Sequence, residues 1–289
     1  GFDQTRVQVL IDGVPYYEAN YGKLDLAQIP TDDVARIEIA KGTASVLGGA
    51  NALGGTINVI SRTAGAKPFT ELLVEGGDFS TGRFASTHGA KNGALSYWLN
   101  VSGQTSDGTP VSGSYEPKPG LIQQKNPTKN TPTILEDGGK RLSSDTEQRN
   151  AWARLGWEPS AATAVFLSVL DFGRDKGAPP AADAVQVSLK RPAFSQFARI
   201  PTYRDLGGAS LPADWRSSSA NTLRASFHLK DDTHRERDDA YLPFAESSSM
   251  TGSVGLEDTW AISKSLSAVA GVSYDWFGVS DAERNVTDG

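Results

Sequence analysis

The sequence predicts a mainly β protein: part of a transmembrane antiparallel β-barrel, preceded by part of a small α/β domain. Three observations carry this. Segments of roughly ten residues alternate large apolar with small or polar side chains, as barrel strands do. The connections between those segments are alternately short and long. The chain before residue 64 has a different texture, compact and mixed α/β.

The alternation is clearest in three places. In 94–105, Leu95, Tyr97, Leu99 and Val101 share one face, and Ser96, Asn100 and Ser102 the other. In 222–230, Leu223, Ala225, Phe227 and Leu229 oppose Arg224, Ser226, His228 and Lys230. In 266–277, Leu266, Ala268, Ala270, Val272, Tyr274 and Trp276 oppose Ser267, Gly271, Ser273 and Asp275. Further strands are expected at 70–76, 82–90, 147–157, 163–173 and 250–260. A globular strand runs about 5–6 residues, so these are long.

Short connections fall at Lys91-Asn92-Gly93, Pro159-Ser160-Ala161 and Ile262-Ser263-Lys264. The long ones, 106–146, 174–218 and 231–248, are rich in Gly, Pro, Ser and charge. Structureless loops beyond about 12–15 residues are uncommon in compact domains. A barrel with tight turns at one rim and long loops at the other produces this alternation. Trp98, Trp152, Trp157, Trp260 and Trp276 lie near strand ends, which fits interfacial girdles and equally fits a soluble core. One count does not close. Between 219 and 248 the chain should cross twice, yet only one strand is legible and Asp231 to Asp239 is too charged to face lipid.

Composition narrows the function classes. A formal net charge of -6 over 289 residues argues against nucleic acid, which needs clustered cations. The absence of cysteine excludes disulfides, zinc fingers and thiol nucleophiles. With three histidines and no nucleophile-elbow motif, catalysis is not expected, and no cofactor or metal is called for. His228, His234, Asp231, Asp232, Asp238 and Asp239 match no metal-ligand spacing. No apolar run is long enough for a transmembrane helix, and a mean hydropathy of -0.36 does not separate a soluble protein from a barrel. The chain opens at Gly1-Phe2-Asp3 without an initiator Met and stops just past a strand, so both ends are expected to be cut.

The first sixty residues carry the local motifs. Arg6 to Ile11 reads as a buried strand closed by the turn pair Asp12-Gly13. Thr31-Asp32-Asp33 suits the cap of a short helical turn, Ala35 to Ile39 alternates as a strand, and Ala44 to Leu47 suits one helical turn. Gly54-Gly55 then launches the strand Thr56-Ile57-Asn58-Val59-Ile60. The glycines Gly42, Gly48, Gly49, Gly54 and Gly55 are structural, since no phosphate-loop run is present.

Three of these elements, in this order, resemble the plug domain of TonB-dependent outer-membrane receptors. They are Val9-Leu10-Ile11-Asp12-Gly13-Val14-Pro15, Arg36-Ile37-Glu38-Ile39-Ala40-Lys41-Gly42, and Gly54-Gly55-Thr56-Ile57-Asn58-Val59. Thr43 and Gly48 stand where the family usually has Pro and Tyr. The resemblance covers residues 7–62 at motif level. It implies that 1–63 is the C-terminal half of a plug and 64–289 the N-terminal part of a transmembrane β-barrel with long extracellular loops.

The resemblance also implies roles. Arg36 and Glu38 would pair with charges on the barrel wall. The loop after Asp12-Gly13 would be a plug apex touching ligand, through Tyr16, Tyr17, Asn20 and Tyr21. The 174–218 loop adds Arg191, Phe194, Phe197, Arg199, Tyr203, Arg204 and Trp215, cations interleaved with aromatics that suit an anionic aromatic chelate. The implied function is active uptake of a scarce solute across the outer membrane of a Gram-negative bacterium, most often a ferric siderophore. The implied partners are that ligand, outer-membrane lipid and the TonB complex, whose contact segment would lie upstream of Gly1. A passive porin-like channel and a soluble β-sandwich binding module are the rival classes.

Overall fold

The computed structural model describes residues 7–16, 26, 29–41, 54–111, 114, 122–123, 132–133, 139–141, 144–177, 199–210, 213–218, 220–237 and 244–282. Their elements form two main sheets. The small sheet contains β1 (Gln8–Ile11), β2 (Val14–Pro15), β3 (Val34–Ala40) and β4 (Thr56–Ser61), in the order β2-β1-β4-β3. β1 runs parallel to β4, and β3 antiparallel to it. Asp12 (φ 50) and Gly13 (φ 83) form the β1–β2 turn, and two left-handed residues in a two-residue loop are what a type I′ hairpin requires. At Gly55 (φ 124) a Cβ would collide with the carbonyl oxygen of Ala40, so only glycine lets β3 approach β4 there. Thr31–Asp33 forms a single 3-10 turn rather than an α-helix.

The large sheet is an antiparallel wall. Its strands are β5 (Phe69–Gly77), β6 (Thr81–Asn92), β7 (Leu95–Ser106), β10 (Thr146–Ser160), β11 (Thr163–Lys176), β12 (Arg199–Ser210), β13 (Ala213–Ser218), β14 (Asn221–Arg237), β15 (Ala245–Ala261) and β16 (Ser267–Ala282). A two-stranded piece, β8 (Ile122–Gln123) with β9 (Pro132–Thr133), stands apart between β7 and β10 in sequence. β12 and β13 occupy one lane between β11 and β14, so the wall is a meander in which each lane pairs with the next. Among the described residues no helix is long and apolar enough to cross a membrane.

The wall has inverted polarity. On β7, Leu95, Leu99 and Val101 are exposed, whereas Asn100 and Ser102 are buried. On β14 and β15, Phe227, Val254 and Leu256 are exposed, whereas His228, Lys230, Asp232, Ser249, Thr251 and Ser253 are buried. A water-soluble sheet would do the reverse. An apolar exterior with a polar interior is the arrangement lipid demands.

The missing strand lies inside what reads as a loop. Residues 199–218, expected as part of the 174–218 connection, form β12 and β13 and supply the descending lane. Pro201 hides it: the β12–β14 pairing shifts register between Arg199 and Thr202, the irregular place a sheet gives to proline. The charged run 231–237, expected as loop, continues β14 as far as Arg237. Pairing with β15 is unbroken there, and Arg235 meets Glu246 at 3.3 Å. The charges there belong to a strand that has left its apolar alternation after Leu229 and stays paired.

The β5–β6 turn stores strain. Phe79 (φ 56) and Ser80 (φ 53) both sit in the left-handed region, closed by Thr81 N–H donating to the Asp78 carbonyl at 3.1 Å. Left-handed backbone costs a non-glycine residue about 1–2 kcal/mol. Replacing Phe79-Ser80 by Asn-Gly is therefore expected to raise wall stability by about 1–2 kcal/mol, read as the urea midpoint of the detergent-refolded full-length protein. An unchanged or lowered midpoint would contradict this account.

Candidate functional site: the seat of the small sheet on the wall

Among the described residues, the small sheet has an apolar face and no partner layer of its own. Val9, Ile11, Ile29 and Val59 instead cluster with Trp152 of β10 and Phe172 of β11, with Val34, Ile57 and Leu170 packed around them. Trp152 and Phe172 are buried, their rings 5.7 Å apart, and Tyr16 meets Phe172 edge-on at 6.1 Å. Trp152 belongs to the same alternate positions as Asn150 and Arg154, so it points inward among polar neighbours. One hydrophobic core is thus shared between two sheets.

Polar clasps flank the shared core. The Asp12 carboxylate lies 3.2 Å from the Arg154 guanidinium of β10, both largely buried. Ser61 joins them, its N–H and hydroxyl donating to Asp12 at 2.9 and 2.5 Å and its oxygen accepting from Arg154 at 3.1 Å. Arg154 also stacks over Phe166, 4.5 Å from the ring centre. Asp32 pairs with Arg83 of β6, which is also held by Glu75 at 2.9 Å. Asp33 accepts a hydrogen bond from the indole of Trp98 on β7. Arg62 reaches Glu71 of β5 at 3.3 Å.

Two openings lie beside this seat among the described residues. One, about 520 Å3, is lined by Asp12, Asn58, Arg36, Arg154, Arg224 and His228 among others. The other, about 230 Å3, lies between Ile29 to Asp32 and the wall residues Arg83, Gln104, Gln148 and Asn150.

The sequence-predicted residues fall as follows. Tyr16 is buried against Phe172. Tyr17, Asn20, Tyr21, Arg191, Phe194 and Phe197 lie outside the described residues. Arg199, Tyr203 and Arg204 are on β12, at register positions opposite Arg237, His234 and Thr233. Trp215, expected in a long loop, is exposed on β13 near the tight Ser218–Asn221 turn, at the rim opposite the long connections. Arg36 and Glu38 pair with each other across 2.7 Å on an exposed strand.

The girdle reading needs correction. Trp157, Trp215 and Trp260 are exposed near tight turns, but Trp98 and Trp152 are buried and face inward against the small sheet. Parity held the signal: Trp98 shares its face with Ser96, Asn100 and Ser102. His88, isolated in sequence, bridges the Thr70 and Tyr97 hydroxyls at 2.8 and 2.9 Å. The ion pairs through Asp12 and Asp32 were missed, because those residues read as turn and cap positions.

Comparison with known proteins agrees with this geometry. Residues 1–56 match the TonB-dependent Receptor Plug Domain. A 140-residue stretch is 30% identical to the vitamin B12 transporter BtuB of Photobacterium profundum, covering 48% of this chain and 22% of that protein. The fold matches the FrpB iron transporter of Neisseria meningitidis (F3-3 variant) with a TM-score of 0.73 at 11% identity, over 96% of this chain and 42% of that one. It also matches a ferric enterobactin receptor mutant from Pseudomonas aeruginosa, with a TM-score of 0.67 at 15% identity, over 94% and 41%.

Residues 1–56 thus carry the signature of the TonB-dependent receptor plug domain, and the fold of the described residues is shared with solved iron transporters and receptors. The chain spans about a fifth of the length of the B12 transporter it matches. It pairs the plug signature with an antiparallel wall. The plug sheet is seated on β6, β7, β10 and β11 of that wall.

The Asp12–Arg154 clasp should behave as a buried ion pair. Arg154→Met leaves Asp12 buried without its cation and is expected to weaken the seat by about 3 kcal/mol. Adding Asp12→Asn should restore most of that loss. The readout is the urea concentration at which trypsin reaches the plug of the membrane-embedded receptor. Additive losses in the double variant would refute the pairing.

Proposed function

We propose that the protein carries out TonB-dependent active uptake of a scarce solute across the outer membrane of a Gram-negative bacterium. In this reading residues 1–63 belong to the plug and 64–289 to the barrel wall. The carrying observation is the small sheet seated through Trp152, Phe172 and Arg154 on the polar face of a wall whose other face is apolar and exposed. A passive pore has no use for such a stopper, and a soluble sandwich would not expose Leu95, Leu99, Val254 and Leu256.

A ferric siderophore is the solute class we favour. Its support is the sequence: tyrosines after Asp12-Gly13, and cations alternating with aromatics from Arg191 to Arg204. Tyr16 would anchor the plug-apex loop on Phe172, with Tyr17, Asn20 and Tyr21 following as ligand contacts. Arg191, Phe194, Phe197, Arg199, Tyr203 and Arg204 would contribute from the opposite side. Trp215, Trp157 and Trp260 would sit at the lipid interface. Arg36 and Glu38 would meet wall charges through the exposed side of β3. Cobalamin is the second reading, favoured by the likeness to a vitamin B12 transporter.

The test is uptake of 55Fe-labelled siderophores and of 57Co-cobalamin by cells with and without the full-length gene. Gene- and TonB-dependent accumulation of an iron chelate is expected, and alanine replacement of Tyr17 and Tyr21 should weaken it by tenfold or more. Accumulation of cobalamin alone would move the assignment to the second reading. Accumulation that persists without TonB would sink active uptake.

A further inference from the structure

Asp33 is an unusual place for a carboxyl group. It sits at the end of the 3-10 turn, completely buried between the plug sheet and the wall. Its Oδ1 accepts the indole N–H of Trp98, and its backbone carbonyl accepts Arg62 N–H at 2.8 Å. Its Oδ2 is buried with no hydrogen-bond partner among the described residues. A buried carboxylate without a cation in contact is costly, and proteins usually answer by keeping the proton.

Among the described residues, the surrounding charges do not supply the missing cation. From the β1–β2 turn, Asp12 faces the site with a like charge. Arg62, at the end of β4, and Arg154, from β10, favour the ionised form. Both guanidinium groups are engaged elsewhere, with Glu71 and Asp12. The adjacent Asp32 is matched by Arg83 of β6, itself shared with Glu75 of β5. β7 offers only the neutral Trp98.

We propose that Asp33 is a proton-sensitive latch, holding the plug against β7 while its carboxyl is protonated and loosening that seat as it ionises. The device rests on reading β1–β4 as a plug seated in the wall, and not on which solute is taken up. Burial pushes the Asp33 carboxyl up to about 7. The Trp98 hydrogen bond opposes the rise, Asp12 adds to it, and Arg62 and Arg154 oppose it. Because the seated value lies above the ordinary 3.8, the seated state binds more protons in between. The seat is therefore strongest below pH 3.8, weakens as pH rises towards about 7, and changes little above that. The outer membrane is permeable to protons, so the latch would respond directly to the pH of the medium.

The sequence has no cysteine, which makes single-cysteine labelling clean. Ala85, buried on the inner face of β6, reports the seat when changed to Cys, and Ser263→Cys in a tight turn serves as the exposed control. The experiment measures the ratio of their maleimide-labelling rates in the full-length receptor in membranes, from pH 5 to 8.5. The ratio is expected to rise by up to about tenfold per pH unit between pH 5 and 7 and then level off. Asp33→Asn should make it flat. Trp98→Phe removes the donor that favours ionised Asp33 and should move the levelling point to higher pH. A slope that survives Asp33→Asn, or a levelling point that Trp98→Phe leaves unmoved, overturns the latch. If Ala85→Cys is protected but insensitive to pH in the parent chain, the latch fails and the plug reading stands. If it labels as fast as the control even at pH 5, the plug reading itself fails.

Discussion

The structure depends on a core that neither sheet completes alone. β1 and β4 present Val9, Ile11 and Val59, and the second layer over them is Trp152 and Phe172 of the wall. Burying a large apolar side chain is worth about 1.5–3 kcal/mol, so two wall aromatics supply much of what a four-stranded sheet lacks. The wall accommodates them by breaking its own rule, placing Trp98, Trp152 and Phe172 on a face that otherwise carries polar residues such as Asn100, Ser102, Asn150 and Ser168. The plug's fold and its attachment are therefore one event.

Around that core the polar contacts set direction more than strength. Asp12, Asp32 and Asp33 all meet the strands from β6 to β10. On the other side, β3 is exposed, and the inner face of the wall carries His228, Lys230 and Asp232 on β14 and Ser249, Thr251 and Ser253 on β15. The larger opening, about 520 Å3, lies where the plug residues Asp12 and Asn58 face Arg224 and His228 of β14. Among the described residues the small sheet is thus clasped on the β6 to β11 side and faces an opening on the β14 side.

Much of this was legible in the sequence, and the reasons are specific. Alternation in 94–105 and 222–230 marks the wall strands through its two-residue period, and the exposure of Leu95, Leu99 and Phe227 shows which face turns outward. Asp12-Gly13 gave its hairpin because few other pairs adopt two left-handed residues. β12 was illegible: Arg199 to Ser210 carries a proline, two glycines and three charges, and its pairing tolerates them through two register shifts. The charged end of β14 reads as loop because charge is unexpected on a lipid-facing strand, yet its pairing with β15 continues to Glu236. The plug seat was hidden differently. Trp152 is indistinguishable from a girdle residue until its parity with Asn150 is set against the face that the plug covers.

The claim that the wall completes the plug core is tested most directly by hydrogen exchange in the full-length receptor carrying Trp152→Ala and Phe172→Ala together. The account predicts that amides of Val9 to Ile11 and of Ile57 to Ile60 lose their protection while those of β10 and β11 keep theirs. Plug amides that stay as slow as in the parent would show that the small sheet holds its core without the wall, and would contradict it.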